Sequence, residues 1–120
     1  MQLPPAPKHM HQHRNRTVRN FGYDDCTDVD YTFNSLGYRG AEFDFSVPGI
    51  VLLGNTISFG LGLEYQDTFA GLIEKQLACP VYNLAWGCYA HTNNEQADLL
   101  EQILESVKPR YVIFQINNLN

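Results

Sequence analysis

The sequence predicts an α/β fold built on a parallel sheet, and three apolar runs in a fixed order predict it. Ile50 to Leu53 is an unbroken apolar run bounded by Pro48-Gly49 and by Gly54. Four such residues without polar alternation suit a strand covered on both faces, as in a parallel sheet. Val81 to Trp86 (V-Y-N-L-A-W) and Tyr111 to Ile116 (Y-V-I-F-Q-I) are the second and third runs. A segment of helical periodicity separates each run from the next. The order is therefore β-α-β-α-β with short connections, which winds right-handed into a parallel sheet with helices as cover.

Composition limits the class of protein. The chain has 120 residues, of which 44% are apolar, enough for one small domain with a modest core. Charged residues make up 18% and the formal net charge is -5, which argues against general nucleic-acid binding. No apolar run approaches the roughly 20 residues that span a bilayer. The N-terminus lacks the apolar central segment of a signal peptide. Cys26, Cys79 and Cys88 form an odd set without metal-site spacing, so reduced thiols and a cytoplasmic location are expected.

Residues 1–30 read as a flexible polar arm ahead of an α/β domain over residues 31–120. Lys8, Arg14, Arg16 and Arg19 stand in the first 20 residues with no acid among them. His9, His11 and His13 alternate, so an extended chain places them on one side, where they could hold a divalent metal loosely. No Cys or carboxylate completes that site, and a tail without native metal is expected. Asp24, Asp25, Asp28 and Asp30 lack the Gly and the distant Glu of a calcium loop, which leaves a solvated turn.

Tyr31 to Phe45 alternates aromatic and polar residues at both ends, with Asn34-Ser35 and Gly37 between, and predicts two short extended pieces joined by turns. Arg39 could pair with Glu42 in such a turn or reach an anionic ligand. After the first strand, Asp67 is the predicted N-cap of a helix whose apolar face is Phe69, Leu72, Ile73 and Leu77. Pro80 ends that segment. Thr92-Asn93-Asn94-Glu95 fits a capping box for the second helix, with Ala97, Leu100, Ile103, Leu104 and Val107 as its apolar stripe. Lys108-Pro109 closes it.

In an open α/β sheet, ligands sit just past the carboxyl ends of the strands. The loops there carry Asn55-Thr56, Gly87 and Asn117-Asn118. A hydroxyl, a flexible backbone amide and carboxamides are the equipment of acyl transfer, a nucleophile plus oxyanion donors.

On these residues the chain resembles the SGNH/GDSL hydrolase superfamily. The likeness runs over G-N-T-I-S-F-G-L-G-L-E-Y-Q-D-T-F at 54–69, V-Y-N-L-A-W-G at 81–87 and K-P-R-Y-V-I-F-Q-I at 108–116. N-S-L-G-Y-R-G-A-E-F at 34–43 also looks like a segment preceding the first strand in some members. The resemblance covers roughly residues 31 to 120. It implies a flavodoxin-like three-layer α/β fold, and hydrolysis of carboxylic esters or acetylated sugars without a metal or cofactor. The family's G-D-S nucleophile block reads Gly54-Asn55-Thr56 here. Thr56 keeps a hydroxyl but adds a methyl that restricts χ1 and crowds the line of attack, and Asn55 lacks the charge of the family's Asp. Gly87 matches the second-block glycine, an oxyanion donor through its amide. The third-block asparagine falls on Leu119 without a gap, or on Asn118 or Asn117 with a shift of one or two residues.

The family's catalytic Asp and His lie in a later block, so the domain is expected to be incomplete at its C-terminus. His91, four residues after Gly87, is a stand-in base only if a group orients it. Trp86 and Tyr89 flank Gly87, where they could line an acyl or sugar pocket, and ordinary rim or core packing serves them equally. Cys88 needs a nearby base to act as a nucleophile, and Ser58 suits loop capping.

Two readings follow from the resemblance: an ester hydrolase of altered site, or a non-catalytic member binding an ester or carbohydrate. A nucleotide-binding module ranks below both, because Gly60-x-Gly62 lacks a third glycine and a P-loop lysine. The expected partner is a small ester or carbohydrate, with no nucleic acid and no membrane. A second copy or complementary chain is expected against a sheet edge left uncovered.

Overall fold

The computed structural model describes residues 3–22, 27–88 and 93–116. It is a mixed α/β structure with a three-stranded parallel sheet and a separate antiparallel pair. In chain order the elements are α1 (Lys8–His11), β1 (Thr17–Arg19), β2 (Asp30–Thr32), β3 (Ile50–Leu53), α2 (Thr56–Phe59), α3 (Phe69–Leu77), β4 (Val81–Asn83), α4 (Asn93–Leu104) and β5 (Tyr111–Phe114). A single 3-10 turn, Tyr65–Asp67, precedes α3.

The strand order of the parallel sheet is β4-β3-β5. Ile50 pairs with Val81 on one side and with Tyr111 on the other, so the three strands run in step. Every residue of β3 is buried, which is why its sequence carries no polar alternation. Its side chains alternate between two cores. Ile50 and Leu52 join Ala70 and Val81, with Ile73 packed against them. Val51 and Leu53 join the larger cluster with Phe59, Leu84, Leu99 and Ile103.

Helix α3 packs through Ile73 of the predicted face and through Ala70, which lay off it. Ala70 is fully buried and Ile73 half-buried, whereas Phe69, Leu72 and Leu77 are exposed at 46%, 47% and 58%. The small Ala70 side chain and Gly71 bring the helix close to its neighbours. A Cβ at Gly71 would meet the backbone of Gln66 at 2.7 Å. The cap also differs by one residue. Thr68 is the N-cap, accepting from the Gly71 amide at 3.2 Å, while Asp67 belongs to the preceding 3-10 turn.

Helix α4 is turned the other way, its buried positions falling one residue before the predicted Ala97 and Leu100. Gln96, Leu99 and Ile103 are its buried residues, with Val107 buried beyond its end. Ala97 and Leu104, both assigned to the apolar stripe, are exposed. Thr92 of the predicted capping box lies outside the described residues. Strands β4 and β5 are shorter than their apolar runs, although Leu84 and Gln115 beyond their ends still donate to the Leu52 and Leu53 carbonyls of β3 at 2.8 and 2.9 Å. Tyr111, Val112 and Ile113 of β5 are exposed at 63%, 38% and 38%.

The segment expected as a flexible arm is packed over its described residues. Leu3, Ala6, Met10, Phe21 and Val29 are all buried in the larger core. Leu3, Ala6 and Met10 lie three and four residues apart, an apolar stripe hidden by the Pro, His and Arg residues between them. The turn at residues 34–37 receives this segment. Ala6 donates to the Leu36 carbonyl at 2.9 Å, and a Cβ at Gly37 would meet the His11 backbone at 2.5 Å. The extended pieces predicted around residues 31–45 appear as β2, paired antiparallel with β1, and as a bridge between Phe33 and Arg39.

Among the described residues no helix is long and apolar enough to cross a membrane.

Candidate functional site

The loops after the three parallel strands meet at the carboxyl edge of the sheet. Gly54 follows β3, and Asn55 then caps α2, its side chain accepting from the Ile57 amide at 2.9 Å. Gly60 ends this one-turn helix in a left-handed conformation, φ 84°. Asn as N-cap and Gly at the C-terminal stop are ordinary helix signals, although the predicted loop did not include a helix. Thr56 is thereby the first residue of α2 and half-buried.

The loop after β4 closes on Thr56. The Cys88 amide donates to the Thr56 hydroxyl oxygen at 3.0 Å. Cys88 holds φ 55°, a left-handed backbone that costs a residue with a side chain about 1–2 kcal/mol. Gly87 is buried beneath it, and any Cβ there would run into the Phe59 ring. Glycine at this position follows from packing against α2. Trp86 donates its amide to the Gly54 carbonyl at 3.1 Å, tying the two loops a second time.

Two glutamines hold the Gly54–Asn55 turn from other elements. Gln96, on α4 and 1% exposed, accepts from the Gly54 amide at 2.7 Å and donates to the Leu84 carbonyl at 3.3 Å. Gln115, just past β5, accepts at Oε1 from the Asn55 amide and from the Ser58 hydroxyl, each at 3.0 Å. Sequence reasoning passed over both. Gln115 gave a signal, as the one polar residue in the run from Tyr111 to Ile116; Gln96 gave none that helical periodicity could separate from its neighbours.

A third contribution comes from α1. His9 Nε2 donates to the Gly87 carbonyl at 2.5 Å, which assigns that nitrogen the proton. A cavity of about 360 Å³ opens beside this contact, lined by His9, His13, Asn20, Phe21 and Cys88 among others. His13 has its pKa lowered from 6.5, first by burial and then by the nearby Arg16 and His9 charges. Among the described residues no three His, Cys or carboxylate side chains converge as a metal site.

Arg39 is 1% exposed and acts on the backbone behind the site. Its Nη1 donates to the Phe59 and Gly60 carbonyls at 3.0 and 2.8 Å, and its Nη2 to the Leu63 carbonyl at 2.6 Å. The guanidinium lies 4.4 Å from the centre of the Tyr31 ring. Glu42 accepts the Ser35 amide instead of pairing with Arg39. Burial raises the Tyr38 phenol far above its ordinary value, with the nearby Trp86 side chain acting in the opposite sense. Trp86 is itself half-buried.

Of the predicted site residues, Asn55, Thr56, Trp86 and Gly87 come together at this edge. His91, Asn117 and Asn118 lie outside the described residues, as do Tyr89 and Leu119. A search of protein-family models found no match, and comparisons with curated proteins and with solved structures found none either.

Proposed function

We propose that this chain is an SGNH-hydrolase-like domain that takes a carboxylic ester or acetylated sugar at the carboxyl edge of its parallel sheet. The fold implied is the flavodoxin-like three-layer arrangement. One observation carries the reading: the Cys88 amide and the Thr56 hydroxyl meet at 3.0 Å, from loops that follow two adjacent parallel strands. A hydroxyl beside amides at the start of a helix is suited to an acyl carbon and the oxygen charge that develops on it. Thr56 is the nucleophile in this reading. Gly87 is an oxyanion donor, with Asn117 or Asn118 as the second, and Asn55, Trp86 and His91 border the ligand.

A second reading, a non-catalytic binding member, is favoured by the same contact. The Thr56 oxygen already accepts from the loop amide, which lowers its electron density, and the Thr methyl crowds its approach. The test is hydrolysis of p-nitrophenyl acetate by the wild type, Thr56→Ala and Thr56→Ser. Loss in Thr56→Ala with a gain in Thr56→Ser supports hydrolysis at Thr56. Equal rates in all three variants refute it, and no turnover in folded protein favours the binding reading.

A further inference from the structure

We infer that Gln115 is a ligand donor at this edge, its side-chain N–H groups taking the carbonyl oxygen of an acyl group seated beside Thr56. The inference deepens the proposed function and shares its ligand class.

The orientation of the carboxamide follows from its partners. The Asn55 amide can only donate, so the atom 3.0 Å from it is the Gln115 oxygen. The Ser58 hydroxyl gives that oxygen a second hydrogen bond at 3.0 Å. Two donors on one oxygen fix the plane of the amide and direct Nε2 away from them. Nε2 makes no hydrogen bond to the described residues, and Gln115 is half-buried, within reach of a ligand. A donor held in place before the ligand arrives needs no reorganisation to meet a developing charge.

Gly54 makes room for this side chain. A Cβ there would stand 2.6 Å from Gln115 Oε1 and 2.9 Å from Gln115 Cβ. The glutamine is thus pressed against the turn that carries Thr56. A polar residue closing an otherwise apolar strand has its acceptor end used by the protein, and among the described residues nothing takes its donor end.

Gln115→Glu separates the two roles. Glutamate keeps an acceptor for Asn55 and Ser58 but has no N–H to give, and it repels negative charge on a ligand oxygen. Gln115→Met removes both functions. p-Nitrophenyl acetate hydrolysis is measured for each, with the melting temperature as a check on folding. In parallel, the ¹⁵N-labelled wild type is titrated with acetanilide, the amide counterpart of an aryl acetate. The Gln115 side-chain signals are assigned by their loss in Gln115→Met.

The expected result is a fall in kcat of about 100-fold in folded Gln115→Glu, and a saturable shift of the Gln115 NH₂ pair with acetanilide. A purely structural glutamine leaves Gln115→Glu at the wild-type rate, and that outcome overturns the inference. So does an NH₂ pair unmoved by acetanilide, even where Thr56→Ala abolishes hydrolysis and the proposed function stands. If the wild type hydrolyses nothing, the titration decides alone: a saturable shift upholds the donor while hydrolysis falls, and no shift overturns it.

Discussion

Gln96→Leu tests how the Gly54 turn is held. Gln96 is 1% exposed and satisfies two buried backbone groups, the Gly54 amide at 2.7 Å and the Leu84 carbonyl at 3.3 Å. Leucine nearly matches its volume and its helix propensity but bonds neither group. Each buried group left without a partner costs about 1–3 kcal/mol. Burying the apolar leucine side chain offsets about 1–2 kcal/mol of that sum. The net loss is about 1–4 kcal/mol, or a fall in the urea midpoint of about 0.5–2 M at an m-value of about 2 kcal/mol/M. The assay is urea unfolding followed by circular dichroism and by Trp86 fluorescence. Gln102→Leu, at an exposed position of the same helix, is the control and should lie within about 0.5 kcal/mol of wild type. Equal midpoints for the two variants would refute the assignment of Gln96 as the clamp on Gly54.

Arg39→Met should destabilise by about 2–4 kcal/mol in the same assay, because three carbonyls lose a charged donor. Arg39→Lys should recover little of it, since one ammonium cannot span the carbonyls that Nη1 and Nη2 reach. Gly87→Ala should lower the melting temperature by an amount equivalent to about 1–3 kcal/mol, through overlap with the Phe59 ring; an unchanged melt would refute the close packing of this loop on α2. His13 is lowered from 6.5 in the folded chain, so the unfolded chain binds more protons below that pH. Stability should therefore fall as the pH drops through about 6.5 toward the folded pKa. His13→Gln should show a smaller difference in urea midpoint between pH 7.5 and pH 5.5 than the wild type.

The strands were legible because each is a local pattern. Ile50 to Leu53 is apolar at every position, and a strand with two buried faces needs nothing else to announce it. The helices were legible in place but not in rotation. Of the predicted face only Ile73 packs on the sheet, beside Ala70, while Phe69, Leu72 and Leu77 are exposed, since close approach favours the small Ala70 side chain over Phe69. On α4, Gln96 is drawn inward by the Gly54 amide, and that bond carries the buried face with it. The first 20 residues look polar because their apolar residues are few. Leu3, Ala6, Met10 and Phe21 are enough to cover the aromatic cluster around Tyr31, Phe33 and Phe59.

The candidate site divides along the same line. Sequence by itself determined that Gly54-Asn55-Thr56 follows a buried strand and that Gly87 ends a second apolar run, because a strand, its breaker and its loop are neighbours in the chain. Only the tertiary structure decided what meets them there. Gln96 reaches Gly54 across 42 residues, Gln115 reaches Asn55 across 60 and His9 reaches Gly87 across 78. Each is one polar side chain answering one backbone group. A pairing of that kind leaves no periodic trace in the sequence, because it depends on where the chain has already folded.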